Sequence, residues 1–204
     1  MSNKQIITTR LNKFLRDKNF EEVKSSMLAA ESFGVSKPLL KKSYLFLGKS
    51  AIRDDQYSAI LFLNKARAID PASKIIFEHF VKAIQEFFQV NVEEFSKKDL
   101  EEYRQAILPI IEFHKLKFPA HRKIIDSMSH MFRRIDYRIK YKAKDVEESK
   151  ITFRVQEIKN ALFDDMTMEE VNQELAKTLT TIIRRELSKD KTGKPKKKKK
   201  DDKK

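Results

Sequence analysis

The sequence predicts an all-α fold. Two observations carry that reading: glycine is scarce, and apolar residues recur at helical spacing in one segment after another. Three glycines in 204 residues is far below the usual share of about 7%, and β folds and phosphate-cradling loops draw on glycine for positive φ. The chain, 24.1 kDa, suits one domain with appendages and is long enough to bury a sizeable core. Without cysteine there is no disulfide framework and no thiolate metal site, which fits a reducing compartment. The opening MSNKQIITTR lacks the apolar stretch of a signal peptide, and no run approaches the roughly 18 apolar residues of a membrane span. A soluble, cytoplasmic protein is the expectation, or a nuclear one if the source is eukaryotic.

The elements follow in chain order. Leu11 and Phe14 lie one turn apart on a first helix, and Phe20, Val23, Met27 and Ala30 mark a second. Phe33-Gly34 stops it with a residue tolerant of the left-handed conformation, and Ser36 is placed to cap the next helix with Pro38 in its first turn. That helix carries Tyr44, Leu47-Gly48 and Ala51. After the Arg53-Asp54-Asp55 turn its partner carries Ala59, Leu63 and Ala66 up to Asp70-Pro71. Small residues at Gly48, Ala59 and Ala66 allow two antiparallel helices to approach closely, with Tyr44, Leu47 and Leu63 filling the space beside them. Asp70-Pro71 ends one helix and starts the next. A third pair follows, with Phe77, Phe80, Val81 and Ile84 on its first helix and Tyr103, Ala106, Ile110, Phe113 and Pro119 on its second. About a dozen residues around QVNVEEFSKK stand between the two. Pro109 predicts a kink or restart near Leu108, because proline removes a hydrogen bond and crowds the preceding turn.

Met27 and Leu63 hold equivalent places 36 residues apart, and the window 44–71 resembles a tetratricopeptide (TPR) repeat. Ala59, Leu63, Ala66 and Pro71 are similar to that family's A-x3-F-x2-A-x4-P, and Tyr44, Leu47-Gly48 and Ala51 to its W-x2-L-G-x2-Y, with Tyr for Trp, Ala for Tyr and a turn one residue shorter. The resemblance covers residues 4–119, divided at 4–37, 38–71 and 72–119. It implies a short helix-turn-helix solenoid with a concave, peptide-binding face.

Beyond it, residues 121–144 read as a long helix with Ile124, Ile125, Met128, Phe132, Ile135 and Ile139 on one face. Residues 146–163 give another, with Ile151, Val155, Ile158 and Leu162. Thr167-Met168-Glu169-Glu170 has capping-box spacing and opens a last helix through Val171, Leu175, Leu179, Ile182 and Ile183. Solenoids need end caps, and residues 120–188 supply one in this reading.

The formal charge of +14 is concentrated. Residues 189–204 hold ten Lys and three Asp, a net of +7, and residues 122–144 hold eight basic and two acidic residues, a net of +6. The tail has no apolar residue to bury, so ordering it would cost entropy with nothing to offset it. Its run Lys196, Lys197, Lys198, Lys199 and Lys200 suits a polyanion, a targeting address or simply solubility.

Nothing predicts an enzyme or a cofactor. With glycine only at 34, 48 and 193, neither GxxxxGK[ST] nor GxGxxG can be built. His79, His114, His121 and His130 form no HExxH pair, and the acidic pairs Asp54-Asp55, Asp164-Asp165 and Glu169-Glu170 sit where carboxylates favour helix dipoles. His114 and His121 flank Pro119 closely enough to meet, yet without a third ligand they read as interface residues.

Two surfaces remain as candidates. On the expected concave face, Asn12, Arg16, Lys49, Arg53 and Lys82 would favour an acidic segment or a C-terminal carboxylate. In TPR proteins that clamp such carboxylates, Asn12 matches an Asn of the clamp, whereas Thr8 stands where the clamp has Lys. These residues read equally well as solvated charges. On the basic helix, Arg133, Tyr137, Tyr141 and Lys144 form a stripe flanked by Arg134, Arg138 and Lys140, a mixture suited to unpaired nucleic acid. Its competitor is internal pairing, the tyrosines beneath the acidic helices and the arginines on Glu147, Glu148, Glu157 or Glu174. The function expected is a non-catalytic scaffold that binds a protein segment in its groove, with the tail attaching to a polyanion. The alternative is an RNA- or DNA-associated factor using residues 121–144 and the tail.

Overall fold

Most helix starts in this chain fall where a side chain satisfies the backbone groups that a helix end leaves open, and two helix ends where a left-handed residue does. In the computed structural model, which describes residues 2–146 and 149–164, α1 (Asn3–Arg16) opens on a reciprocal capping box between Ser2 and Gln5. It closes through Lys18, at φ 53, so that the Asn19 N–H donates to Phe14 O at 3.0 Å. The Asn19 side chain then caps α2 (Phe20–Ser32) by accepting from the Glu22 N–H. The Phe33-Gly34 stop forms as expected: Gly34 has φ 63, and the Val35 N–H returns to Ala30 O at 2.9 Å.

α3 (Lys37–Ala51) carries Pro38 in its first turn. The Ser36 hydroxyl makes no cap hydrogen bond, contrary to expectation, and it is the Ser36 carbonyl that accepts from Leu39 and Leu40. Asp55 caps α4 (Gln56–Ile69). α5 (Lys74–Val90) starts beyond Pro71, because Ser73 supplies its cap to the Ile76 N–H. The connection to α6 (Lys97–Lys117) is only residues 91–96, so about half of the expected insertion lengthens the two helices. α6 also runs through Pro109 without a restart. Ala106, Ile107, Ile110 and Ile111 are buried on both sides of the proline, and that packing outweighs the local helix penalty of about 3 kcal/mol.

A short 3-10 turn at Pro119–His121 leads into α7 (Arg122–Tyr141), which ends three residues earlier than the sequence suggests. α8 (Thr152–Asp164) starts later than expected, after a turn in which the Ser149 N–H donates to Thr152 Oγ1 at 2.7 Å. The segment from Asp165 onward, including the expected helix opening at Thr167 and the Lys-rich tail, lies outside the described residues.

The described residues form a helical-repeat-like all-α stack in which each helix packs on its neighbours. α1 and α2, then α3 and α4, make antiparallel pairs, and α1, α3, α5 and α7 are successive neighbours in one row. The closest approach is between α3 and α4. A Cβ added to Gly48 would lie 2.4 Å from Leu63 Cγ, so glycine is the residue that fits there. The third pair is different. Phe87, Phe95 and Tyr103 stand between α5 and α6, with the Phe87 and Tyr103 ring centroids 5.6 Å apart, and the buried Tyr103 hydroxyl donates to Ile84 O at 2.8 Å. These large rings hold the two backbones apart.

α8 bridges α6 and α4. Ile151, Val155, Ile158 and Leu162 are buried along it, as their spacing predicts. Asn64 Nδ2 on α4 donates to Ala161 O at 2.8 Å, and Tyr57 on α4 donates to Glu157. At its start the Asp99 carboxylate accepts from Ser96 Oγ at 2.6 Å, the Ser96 N–H at 3.1 Å, Ser149 Oγ at 2.5 Å and Thr152 Oγ1 at 2.8 Å. One buried carboxylate thereby caps α6 and ties it to the start of α8. Burial alone would raise its pKa, but the hydrogen bonds from Ser149, Ser96 and Thr152 outweigh it and hold Asp99 below the usual range.

Gly48→Ala is expected to lower stability by about 1–3 kcal/mol despite alanine's better helix propensity. Urea unfolding checks it, and Leu63→Ala in the same chain should recover part of the loss by making room for the new methyl. Asp99→Ala should cost at least about 2 kcal/mol, because four donors lose a buried acceptor. Since the folded pKa is depressed, the native carboxylate contributes fully above pH about 4 and its contribution is lost as the folded form protonates below that. Hydrogen exchange of residues 152–164 should accelerate before that of α3 and α4, and uniform acceleration would contradict a local staple.

Candidate binding surfaces

The expected groove residues lie on the row of first helices. Asn12 and Arg16 are exposed on α1. Asn12 Nδ2 donates to Thr8 O at 3.0 Å within its own helix, and Arg16 lies 3.7 Å from Asp17. Arg53 is exposed in the turn after α3, where its carbonyl accepts from Gln56 Nε2 at 2.7 Å. Lys49 on α3 and Lys82 on α5 are also exposed. They act on a common group: burial lowers the pKa of His79, Lys49 lowers it further, Glu78 opposes and Lys82 adds to the fall. Beside Lys49 an open depression of about 460 Å³ is lined by Lys42, Leu45, Phe46 and Ser50. Lys49 and Lys82 thus bear on one area, while the Asn12 and Arg16 side chains make contacts within or beside their own helix. Sequence reasoning missed Lys42, Leu45, Phe46 and His79. The spacing of Lys42, Leu45, Phe46 and Lys49 at three, one and three is a single helix face and was there to be read.

α7 presents the second surface. Ile125, Met128, Met131 and Ile135 are buried on one side, which turns Arg133, Tyr137 and Tyr141 outward. An open depression of about 710 Å³ is lined by Arg133, Arg134, Tyr137 and Arg138 together with Glu93, His130 and Lys142. The Arg138 guanidinium grips Glu93 with two nitrogens, at 2.8 and 3.0 Å, and this bond, then the charge itself, holds Glu93 below the usual carboxylate range. Arg134 lies 5.5 Å from the centre of the Phe88 ring. The Tyr137 and Tyr141 rings are 5.2 Å apart and tilted by 47°, 54% and 60% exposed, with Lys140 Nζ 5.0 Å from the Tyr141 ring.

Among the described residues the alternative of internal pairing does not form. The tyrosines are exposed, Glu157 is bonded to Tyr57, and Arg138 takes Glu93 from the loop between α5 and α6. Glu147, Glu148 and Glu174 lie outside the described residues, as do Lys196 to Lys200. Lys144 does not extend the stripe, because the helix has ended and its carbonyl accepts from the Lys97 N–H at 2.9 Å. Glu93 lies 45 residues from Arg138 and left no local signal, whereas Lys142 continues the helical spacing of Arg134 and Arg138.

The two histidines singled out by their spacing meet in the core. His114 Nδ1 and His121 Nδ1 are 2.9 Å apart, and Phe77 stacks on both rings at 4.0 and 4.7 Å. His121 Nε2 lies 3.3 Å from Ala72 O, which makes that nitrogen the protonated one and leaves His121 Nδ1 to accept from His114 Nδ1–H. Among the described residues no third imidazole or carboxylate joins them as a metal-binding group.

The fold and these surfaces define a helical-repeat-like all-α protein with two cationic faces. Among the described residues no helix is long and apolar enough to cross a membrane. No known family pattern, curated protein or solved structure matches the chain.

The histidine pair has a consequence for acid stability. Burial, then Arg67 and His121, push His114 down to about 3, against about 6.5 in an unfolded chain. Above pH 6.5 both states are neutral. As pH falls below that, the unfolded chain takes up a proton that the folded chain refuses, and stability falls by about 1.4 kcal/mol per pH unit until the folded pKa is reached. Urea midpoints between pH 7 and 4.5 should therefore decline less steeply in His114→Gln than in the parent. Parallel declines would show that His114 does not titrate this way.

Proposed function

We propose that this chain is a non-catalytic scaffold of TPR-like architecture, holding an acidic partner segment against the α3–α5 side, while its Lys-rich tail adds attachment to polyanions. The observation that carries the reading is the combination beside α3: apolar Leu45 and Phe46 in an open depression with Lys42 and Lys49, and Lys82 acting with Lys49 on the same histidine. An extended acidic segment meets both features. Its apolar side chains cover Leu45 and Phe46, and its carboxylates sit near the lysines as charge-assisted partners. The row of α1, α3, α5 and α7 supports the TPR-like part, as do the buried Ala59, Leu63 and Ala66 at the family's second-helix positions.

The test is affinity purification from cell extract at moderate salt with nuclease treatment, comparing the parent with Lys49→Glu/Lys82→Glu. Capture of a polypeptide should fall at least tenfold while helicity by circular dichroism stays the same. Undiminished capture would reject the groove.

A further inference from the structure

The α7 face has a composition that the α3 depression lacks. Its concavity is lined by cations and the exposed Tyr137 ring, with no aliphatic side chain among the described lining residues, and the exposed Tyr141 ring stands 5.2 Å from Tyr137 just outside it. The cations are of two kinds. Arg138 is fixed and neutralised by the two-nitrogen grip on Glu93. Arg133, Arg134 and Lys142 make no ion pair among the described residues, although the charge of Lys142 also bears on Glu93. Arg134 is held in place through Phe88 instead, a contact that orients the guanidinium without cancelling it. Arg133, Tyr137 and Tyr141 follow each other at four-residue spacing along one line of α7, so a charge leads into two rings along a track.

An acidic peptide would use the charges and leave two half-exposed rings idle. A bilayer would call for aliphatic side chains that this concavity does not present. A nucleic acid duplex offers phosphates, but its bases are already stacked on one another. A single strand uses everything present, since each nucleotide brings a phosphate and a free π face.

We propose that the α7 face binds single-stranded nucleic acid, with phosphates at Arg133, Arg134 and Lys142 and unpaired bases stacked on Tyr137 and Tyr141. The site is separate from the α3 depression, and it stands or falls independently of the scaffold reading.

Fluorescence anisotropy of the full chain with labelled twelve-nucleotide oligouridylate, oligothymidylate and a duplex of equal length tests it. At least one single strand should bind more tightly than the duplex. Tyr137→Ala/Tyr141→Ala should weaken that binding tenfold or more, and Tyr137→Phe/Tyr141→Phe should stay within about twofold, because the stacking face is kept. Arg133→Gln/Arg134→Gln/Lys142→Gln should reduce the slope of log affinity against log salt by about 2, the share of three phosphates on a single strand. The slope difference is the readout because the tail contributes its own salt dependence. In the unsubstituted chain, 4-thiouridine in the oligouridylate should crosslink within residues 133–142.

Any of four results would overturn the proposal. They are alanine variants that bind like the parent, a duplex bound as tightly as either single strand, crosslinks confined to residues 189–204, or polyglutamate displacing the oligonucleotide at equal charge concentration.

Discussion

A buried carboxylate with no counter-cation among the described residues decides how the second half of this stack closes. Asp99 sits at the first turn of α6, where any helix would accept an acidic residue, but it also accepts from Ser149 and Thr152 across the start of α8. An unpaired buried charge is tolerated only when hydrogen bonds surround it, and four donors here do so. With α6 and α8 joined at that point, α8 is aimed along α6 and onto α4. The rings of Phe87, Phe95 and Tyr103 provide the matching constraint, because the spacing they impose between α5 and α6 is what distinguishes this pair from the closely packed α3 and α4.

Where short-range spacing and turn chemistry decide an element, the chain was readable. The Ala59, Leu63, Ala66 and Pro71 spacing marked α4, and the left-handed Gly34 marked the end of α2, because in both cases the cause is local. Reading failed where the cause is distant. Pro109 suggested an interruption, yet α6 continues because buried residues on both sides hold it. The start of α8 was misplaced because it depends on hydroxyls meeting Asp99, some fifty positions earlier in the chain. The α7 stripe was legible as a helical face from Arg133 to Tyr141. Its wall was not, since Glu93 reaches it from another part of the chain. On the α3 side the reverse holds: Lys42, Leu45 and Phe46 were in plain sequence view, but their importance depends on which face the packing leaves open.

The overall charge is a poor guide to which residues carry a field into solution. Arg67 is buried with Asn64 accepting from its guanidinium at 2.6 Å, and Arg138 is spent on Glu93. Lys65 lies between Glu31 and the Tyr44 ring, and Lys41 is paired with Asp70 at 2.9 Å. What distinguishes the α3 and α7 faces is therefore that Lys49, Lys82, Arg133, Arg134 and Lys142 make no ion pair among the described residues. A count of basic residues would not reveal this.

The contacts between α4 and α8 bear on the order in which the chain can fold. A simple repeat array can nucleate at any unit and propagate to its neighbours, each unit resting on those beside it in sequence. Here the flank of α4 is covered by residues about a hundred positions later, through Tyr57 to Glu157 and Asn64 to Ala161. During synthesis, α4 therefore leaves the ribosome with an apolar flank that stays open until α8 has emerged. Such a delay between emergence and burial is when newly made chains are most exposed to misassociation, and it gives this small helical protein a slower, more non-local final step than its helix content would suggest.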